Sequence, residues 1–262
     1  MWYNGYLCDI ITSEKGEECK MKILMINGTP RHGSSYHVGK LVIEKIAKDG
    51  DQILELFLPK DMPEFCRGCA ACIIEGEKRC PDYLMYMKRV TRMIDEADLL
   101  VFTSPVHVLH VTGALKALLD HYGYRFMVHR PEESMFAKQA VCITTGAGGG
   151  MKSTLKDMKG SLLFWGTGRI YSYGAAVAAT SWDGVDSSIK AKIRQDVDKL
   201  ASKIIRDPNQ VVPSLKTKIL FYIMRHMHQK GLNPVDQAYW KEKGWLDRER
   251  PWKKGAKASG NA

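Results

Sequence analysis

The sequence lacks the features that mark membrane-embedded and exported proteins. It has no apolar run that approaches the roughly 20 residues needed to span a bilayer. Its first residues do not combine a basic start with an apolar core, so they do not form a signal peptide pattern. We therefore expect a cytoplasmic protein, in which thiols stay reduced and clustered cysteines bind metal or carry out redox work more often than they form disulfides.

Motifs of hydrolases and of nucleic-acid-binding proteins are also missing. The sequence contains no Ser-His-Asp arrangement, no HExxH motif and no paired-carboxylate signature. It contains no helix-turn-helix, zinc-finger or RNA-binding signature either. The formal net charge of +10 comes from basic residues that are scattered, with some concentration near the C-terminus. We interpret it as a solvated basic surface that tolerates anionic cofactors, and we expect neither a nucleic-acid nor a membrane partner.

What the sequence does contain is a regular alternation of strands and helices. Short apolar runs with strand character fall at residues 22–27, 51–57, 98–104, 139–145 and 169–173. Segments with apolar residues at helical spacing separate them. The central runs are continuously apolar, as in strands that are buried on both faces. This pattern predicts a parallel α/β sheet covered by helices on both sides, with its ligand site at the carboxyl ends of the strands.

The alternating pattern predicts three regions. Residues 21–206 form the predicted domain, and residues 1–20 precede it as an N-terminal extension. Residues 207–262 form a C-terminal appendage with a basic helix near residues 215–228 and an aromatic tail. We expect its tryptophans to be packing anchors and about the last ten residues to be disordered.

Three loops at the predicted carboxyl edge carry unusual side chains. The first, GTPRHGSSY at residues 28–36, combines hydroxyls, an arginine and a helix N-terminus, which suits a phosphate monoester. The alternative is a helix start that Ser34 or Ser35 caps. The other two loops are TSPVHV at residues 103–108 and TTGAGG at residues 144–149. Together the three loops predict a phosphate pocket and a flat slot that suits a flavin ring.

Four of the seven cysteines lie within fifteen residues of the segment FCRGCAACIIEGEKRC. They are Cys66, Cys69, Cys72 and Cys80. A [4Fe–4S] cluster is one interpretation, because short intervals in a bent loop supply three thiolates at once. Zinc is another, although it usually takes its thiolates from two separated Cys-x2-Cys pairs. A metal-free loop, with or without redox-active thiols, is the third.

The segments KILMINGTPRHGSS and SPVHVLHVTGALKALLDH and the glycine-rich loop after the fourth strand resemble the NADPH-dependent FMN reductase family. The resemblance covers roughly residues 21–205. It implies a flavodoxin-like three-layer sandwich with a five-stranded parallel sheet in the order 2-1-3-4-5, extended here by C-terminal helices and aromatics. It also implies FMN as the cofactor.

The family's FMN-binding residues correspond to two sets in this sequence. The phosphate loop corresponds to Thr29, Arg31, Ser34, Ser35 and Tyr36. The ring-binding loops correspond to Pro105, Val106, His107, Val108, Thr145, Gly146 and Gly148. His107 departs from the family, which usually has tyrosine there. Because the flavin carries the chemistry, we expect no obligatory general base.

The cysteine segment resembles the motif of the iron–sulfur flavoproteins, a branch of the same family. This resemblance implies a [4Fe–4S] cluster on the four cysteines. The expected activity is an FMN-dependent oxidoreductase that passes electrons from NAD(P)H or reduced ferredoxin to a small-molecule or protein acceptor. The alternatives are a cluster-free NAD(P)H-dependent reductase of FMN, quinones, azo or nitro compounds, and a non-enzymatic electron carrier resembling flavodoxin. The family also implies a homodimer or homotetramer.

Overall fold

The computed structural model describes residues 20–61 and 64–253, and a five-stranded parallel sheet forms its centre. The strands are β1 (Lys22–Asn27), β2 (Gln52–Phe57), β3 (Leu99–Pro105), β4 (Gln139–Gly146) and β5 (Arg169–Ala176). They lie in the order β2-β1-β3-β4-β5, and every neighbouring pair is parallel. The predicted flavodoxin-like sheet and its strand order are therefore confirmed.

Helices cover both faces of the sheet. The α-helices are α1 (Ser34–Ile46), α2 (Ala71–Ile74), α3 (Lys88–Glu96), α4 (Gly113–His121), α5 (Met151–Phe164), α6 (Ser187–Ala201), α7 (Leu215–Gln229) and α8 (Pro234–Glu242). Helices α1 and α6 share one buried cluster with the sheet, and helices α3, α4 and α5 share the other. This division gives the three layers that the resemblance implies.

The central strands are apolar throughout because each face meets a different helical layer. In β1, Ile23 and Met25 belong to the cluster with α1 and α6. Leu24 and Ile26, whose side chains point to the opposite face, belong to the cluster with α3, α4 and α5. All four side chains are at most 1% exposed. A strand with one solvated face would alternate apolar and polar residues instead.

Two helices differ from the sequence-based expectation. The helix predicted near residues 82–96 starts as a π-helix at Tyr83–Met87 and continues as α3. The helix predicted to reach residue 126 ends as α4 at His121, and a 3-10 turn follows at Gly123–Arg125. Further 3-10 turns lie at Glu77–Arg79, Glu133–Ala137 and Pro208–Gln210.

The C-terminal helices pack on the sheet domain through an aromatic cluster. Trp240 and Trp245 are 0% exposed and contact Phe221 of α7, together with Met127 and Phe136 of the domain. The tryptophans therefore serve as packing anchors, as predicted. The N-terminal extension up to residue 19 and the tail from residue 254 lie outside the described residues. None of the described helices has the length and apolar character required to cross a membrane.

Candidate functional site

The loop after β1 is held against the second loop by close backbone contacts. Gly28 donates its N–H to the Thr103 carbonyl at 2.7 Å. Thr112 Oγ1 donates to the Gly28 carbonyl at 2.6 Å. A Cβ on Gly28 would lie 3.0 Å from both Thr103 O and Thr112 Oγ1, which is tighter than ordinary contact. Glycine at this position therefore lets the β1–α1 loop approach the start of α4.

The start of α1 has no capping side chain. Gly33 is the N-cap residue, and no side-chain hydrogen bond caps the helix. Ser34 and Ser35 occupy the first turn and are 8% and 4% exposed. The alternative interpretation, in which Ser34 or Ser35 is the N-cap, is therefore wrong. The first N–H groups of α1 are left for another acceptor, and a helix N-terminus of this kind favours an anion.

Ser35 joins the first loop to the third. Its Oγ lies 2.7 Å from Thr145 Oγ1 and accepts a hydrogen bond from the Thr145 N–H at 3.2 Å. Val106 of the second loop donates its N–H to the Thr145 carbonyl at 2.8 Å. All three sequence-predicted loops thus meet around Thr145 at the carboxyl edge of the sheet.

The three loops enclose a cavity of about 420 Å³. Among the predicted cofactor residues, those that line it are Thr29, Arg31, Ser34, Ser35, Tyr36, Pro105, Val106, His107, Thr145 and Gly146. Val108 and Gly148 are not among the lining residues, and Val108 is 84% exposed. The structure thus brings ten of the twelve predicted residues together around one cavity, and the contact of each residue with FMN stays a prediction.

A fourth loop also borders the cavity, and the sequence did not reveal it. Ala179 and Thr180, which follow β5, line the cavity beside the first loop. Arg31 donates a guanidinium N–H to the Thr180 carbonyl. Ala179 and Thr180 are small and uncharged, so the sequence gives no sign that they border a ligand site. They reach the cavity because the order of the strands places the loop after β5 at the same edge of the sheet.

The second loop makes a tight turn above the cavity. His107 and His110 exchange backbone hydrogen bonds of 2.8 and 3.0 Å. Between them, Val108 and Leu109 have φ values of 48° and 67°, a left-handed conformation that is strained for a β-branched residue. His110 Nδ1 lies 2.9 Å from Asp157 Oδ2 of α5, which fixes the far side of the turn. The turn therefore holds His107 at the cavity wall.

The four cysteines of the cysteine segment line a second, small pocket. Cys66 and Cys69 are exposed, while Cys72 and Cys80 are partly buried. Asp82 and His121 complete the wall of this pocket. His121 is 3% exposed, and its Nε2 lies 3.0 Å from Asp82 Oδ2 while its Nδ1 lies 2.8 Å from the Ala117 carbonyl oxygen. The sequence showed neither residue as part of a site.

The spacing of potential ligand atoms can be compared with that of a tetrahedral zinc site. Within residues 20–61 and 64–253, one group of three or more such atoms lies within 4.8 Å of one another, and it consists of Cys80, Asp82 and His121. A tetrahedral Zn–Cys₄ site, with Zn–S bonds of about 2.3 Å, would bring its sulfurs to about 3.8 Å from one another. The four thiols line one pocket without that contraction. The four thiols are therefore not preformed as a zinc tetrahedron in the described residues.

The thiols of this pocket influence one another. Burial raises the pKa of Cys72, and the charges of Cys80, Cys66 and Cys69 raise it further. Burial also raises the pKa of Cys80, as do the charges of Asp82 and the neighbouring thiols. Separate thiolates in this pocket therefore repel one another, and a bound cationic centre would offset that repulsion.

Helix α4 connects the two pockets. Thr112, its N-cap residue, lines the large cavity and accepts a hydrogen bond from Leu115 N at 3.3 Å. His121, its last residue, lines the cysteine pocket. Nine helical residues correspond to about 13 Å along the axis. A ligand at each end would thus lie on one rigid element.

Comparisons with known proteins show the family to which the chain belongs. The family model described as NADPH-dependent FMN reductase matches residues 21–181, more than half of the chain. An iron–sulfur flavoprotein of Archaeoglobus fulgidus is 26% identical over 235 residues, which cover 86% of this chain and 100% of that protein. An iron–sulfur flavoprotein of Methanocaldococcus jannaschii is 26% identical over 144 residues, which cover 53% of this chain and 69% of that protein.

Solved structures support the fold. An NAD(P)H:quinone oxidoreductase from Methanothermobacter marburgensis superposes with a TM-score of 0.55 at 16% identity, covering 70% of this chain and 96% of that one. An azoreductase from Bacillus anthracis superposes with a TM-score of 0.53 at 16% identity, covering 70% and 100%. The chain therefore belongs to the NADPH-dependent FMN reductase family, and it is a flavin-dependent oxidoreductase similar to iron–sulfur flavoproteins.

Proposed function

We propose that this oxidoreductase holds FMN in the cavity at the carboxyl edge of the sheet and a [4Fe–4S] cluster on Cys66, Cys69, Cys72 and Cys80. It passes electrons from NAD(P)H or reduced ferredoxin to a small-molecule or protein acceptor. The observation that carries the proposal is that all four cysteines line one pocket, at the opposite end of the helix that borders the cavity.

The cavity has the chemical character that the phosphate of FMN requires. The uncapped N-terminus of α1 and the Arg31 guanidinium supply donors and positive charge at one end. Among the described residues that line the cavity there is no aspartate or glutamate, so a phosphate meets no carboxylate there. The volume of about 420 Å³ falls within the range of ligand pockets, about 300–1,000 Å³.

The residues of the second and third loops would hold the ring. Pro105, Val106 and His107 form one wall, and Thr145 with Gly146 forms the neighbouring one. A Cβ on Gly146 would lie 2.9 Å from Val106 Cγ2, so glycine keeps the two walls close together. Hydrogen bonds between the loops fix these walls before any ligand binds, which reduces the ordering cost of binding.

The cysteine pocket supplies ligands of the right type for an iron–sulfur centre. Its four thiols lie on a segment bent at Gly68 and Gly76, both with positive φ. When bound, FMN and a cluster supply electron uptake in one- and two-electron steps. The protein would bind both groups and hold them at the two ends of α4. It would also shield the Cys72 ligand partly from water, because this side chain is partly buried.

A cysteine substitution tests the cluster assignment. We expect Cys69→Ser, at an exposed position where little packing is lost, to keep FMN but to lose iron and acid-labile sulfide. Cys142→Ala is the matched control, because Cys142 is buried in β4 away from the pocket and should leave both contents unchanged. Equal iron and sulfide in the wild type and Cys69→Ser would contradict the proposal. A cluster-free NAD(P)H-dependent reductase would then be the better description.

We further propose that the protein is a cytoplasmic homodimer or homotetramer that exchanges electrons with the donor and acceptor classes named above. The family and the similarity to iron–sulfur flavoproteins support an oxidoreductase with redox partners.

A further inference from the structure

We infer that Arg130 and Asp236 clamp the cysteine segment, so that the C-terminal helix α8 is a structural part of the cysteine site. Both are positioning residues in this proposal, since neither side chain would touch the bound group. The inference rests on the proposed function in one respect: it concerns the segment that would hold the cluster.

Helix α2 is so short that some of its backbone carbonyls receive no hydrogen bond from within the helix. Helix α2 is one turn long, from Ala71 to Ile74, and Gly76, with a φ of 124°, turns the chain away after it. The N–H groups of Ile73 and Ile74 donate to the Ala70 carbonyl, and the N–H groups of Glu75 and Gly76 donate to the Ala71 carbonyl. The carbonyls of Cys72 and Ile73 consequently need donors from outside the helix.

Arg130 supplies those donors. Its Nη2 donates to the Cys72 carbonyl, and its Nη1 donates to the Ile73 carbonyl at 3.2 Å. Arg130 is 8% exposed, so these hydrogen bonds are sheltered from water. The planar guanidinium reaches both carbonyls from one position, which a lysine ammonium cannot reproduce.

Asp236 fixes the guanidinium from the opposite side. One oxygen of its carboxylate accepts from Arg130, and the other lies 2.7 Å from His129 Nδ1. The Asp236 side chain is 0% exposed, in the first turn of α8, where the helix N-terminus stabilises negative charge. A buried carboxylate needs these partners, so the position of α8 and that of Arg130 depend on each other.

Two further contacts tie α8 to the segment that carries Arg130. Tyr239 donates its hydroxyl to the Pro131 carbonyl at 2.7 Å, and Trp240 donates Nε1 to the His129 carbonyl at 2.6 Å. Since Trp240 belongs to the aromatic cluster, the chain of contacts runs from that cluster through Arg130 to the backbone of Cys72. The C-terminal helices thereby hold one of the four thiols in place.

The variants separate local positioning from general stability. Arg130→Lys keeps the charge that Asp236 needs and removes the forked hydrogen bonding. The double variant Arg130→Met/Asp236→Leu removes both members of the Arg130–Asp236 ion pair together, so neither of these two is left as an unpaired buried charge. Arg225→Lys is the matched control, because Arg225 also donates to backbone carbonyls, those of Trp245, Leu246 and Asp247, away from the cysteines.

The first readout is the alkylation rate of Cys72 by iodoacetamide, measured by peptide mass spectrometry on the metal-free, FMN-loaded full chain under anaerobic conditions. The second is the rate at which a chelator removes iron from the loaded protein. We expect both variants at Arg130 to raise each rate about tenfold. Arg225→Lys should behave as the wild type does, and all variants should keep FMN.

Unchanged rates in both variants at Arg130 would overturn the clamp, as would an equal rise in Arg225→Lys. A wild type that binds no iron or sulfide would end the cluster assignment instead. The alkylation rates would still decide whether Arg130 and Asp236 hold the cysteine segment. The two failures are therefore distinguishable.

Discussion

At the scale of single residues, the start of α1 has no capping side chain, and this helix start lies at the end of the cavity where we propose that the phosphate of FMN binds. Gly33 caps α1 without a side chain, and Ser34 and Ser35 lie inside the first turn. A serine at the N-cap position would bond to a first-turn N–H itself. Because Gly33 has no capping side chain, those N–H groups would be available to an anionic ligand. Arg31 supplies positive charge at the same cavity.

Arg31 is the residue whose removal should weaken FMN binding most selectively. We expect Arg31→Met to raise the dissociation constant for FMN about 10- to 100-fold, since a hydrogen bond to a charged group contributes about 1.5–3 kcal/mol. Fluorescence titration of the apo protein with FMN measures this constant. Arg194→Met is the control, because it removes one positive charge as Arg31→Met does, but from an exposed position on α6. Equal constants for the two variants would contradict the assignment.

Some site residues could be predicted one by one and others could not. Hydroxyls, an arginine and clustered cysteines next to glycine indicate a ligand-binding loop from the sequence alone. Asp82 and His121 are 39 positions apart, and only the packing of α4 brings their side chains to 3.0 Å. Thr180 reaches the cavity through a backbone carbonyl, and a sequence shows no signal for that contact.

At the scale of elements, α4 is the part that relates the two pockets to each other. Its first turn is fixed to the β1–α1 loop through Thr112 and Gly28, and its last residue faces the cysteines. A shift at one end of a nine-residue helix is transmitted to the other end, because helices move as rigid bodies within a packed core.

The N-cap of α4 offers a test of this connection. We expect Thr112→Ala to lower the free energy of unfolding by about 1 kcal/mol through the lost cap and to weaken FMN binding as well. Ser214→Ala removes the N-cap of α7, where the Ser214 side chain accepts from Thr217 N, and should cost similar stability with no change in FMN affinity. Denaturant unfolding and FMN titration of both variants measure these effects. The same FMN affinity in both would show that Thr112 acts only as a cap.

Helices and strands could be predicted from the sequence where apolar residues recur with one clear spacing, either that of a helix or that of a strand. The three central strands β1, β3 and β4 are buried along almost their whole length and are apolar on both faces, and the strand order follows from the family resemblance. The π-helix at Tyr83–Met87 was not predictable, because its apolar spacing resembles that of the α-helix it leads into. The extension of β5 to Ala176 was missed because that edge strand ends in small residues without strand character.

At the scale of the whole molecule, the C-terminal helices appear in the sequence as an appendage, yet the structure connects them to the cysteine site. Their tryptophans pack against Phe136 and Met127, and Asp236 reaches Arg130. The sequence indicated the aromatic anchors but not the buried ion pair, whose partners are 106 positions apart. Such long-range pairs are decided by the packing of helices and carry no local pattern.

The central claim is that one chain carries FMN and a [4Fe–4S] cluster at the two ends of α4. The most direct measurement is a UV–visible spectrum of anaerobically purified protein, with iron, acid-labile sulfide and FMN quantified on the same sample. We expect flavin absorption overlaid by a broad iron–sulfur band, with about four irons and about four sulfides for each FMN. A flavin spectrum without iron or sulfide would contradict it and leave a simple flavin reductase with a free cysteine segment.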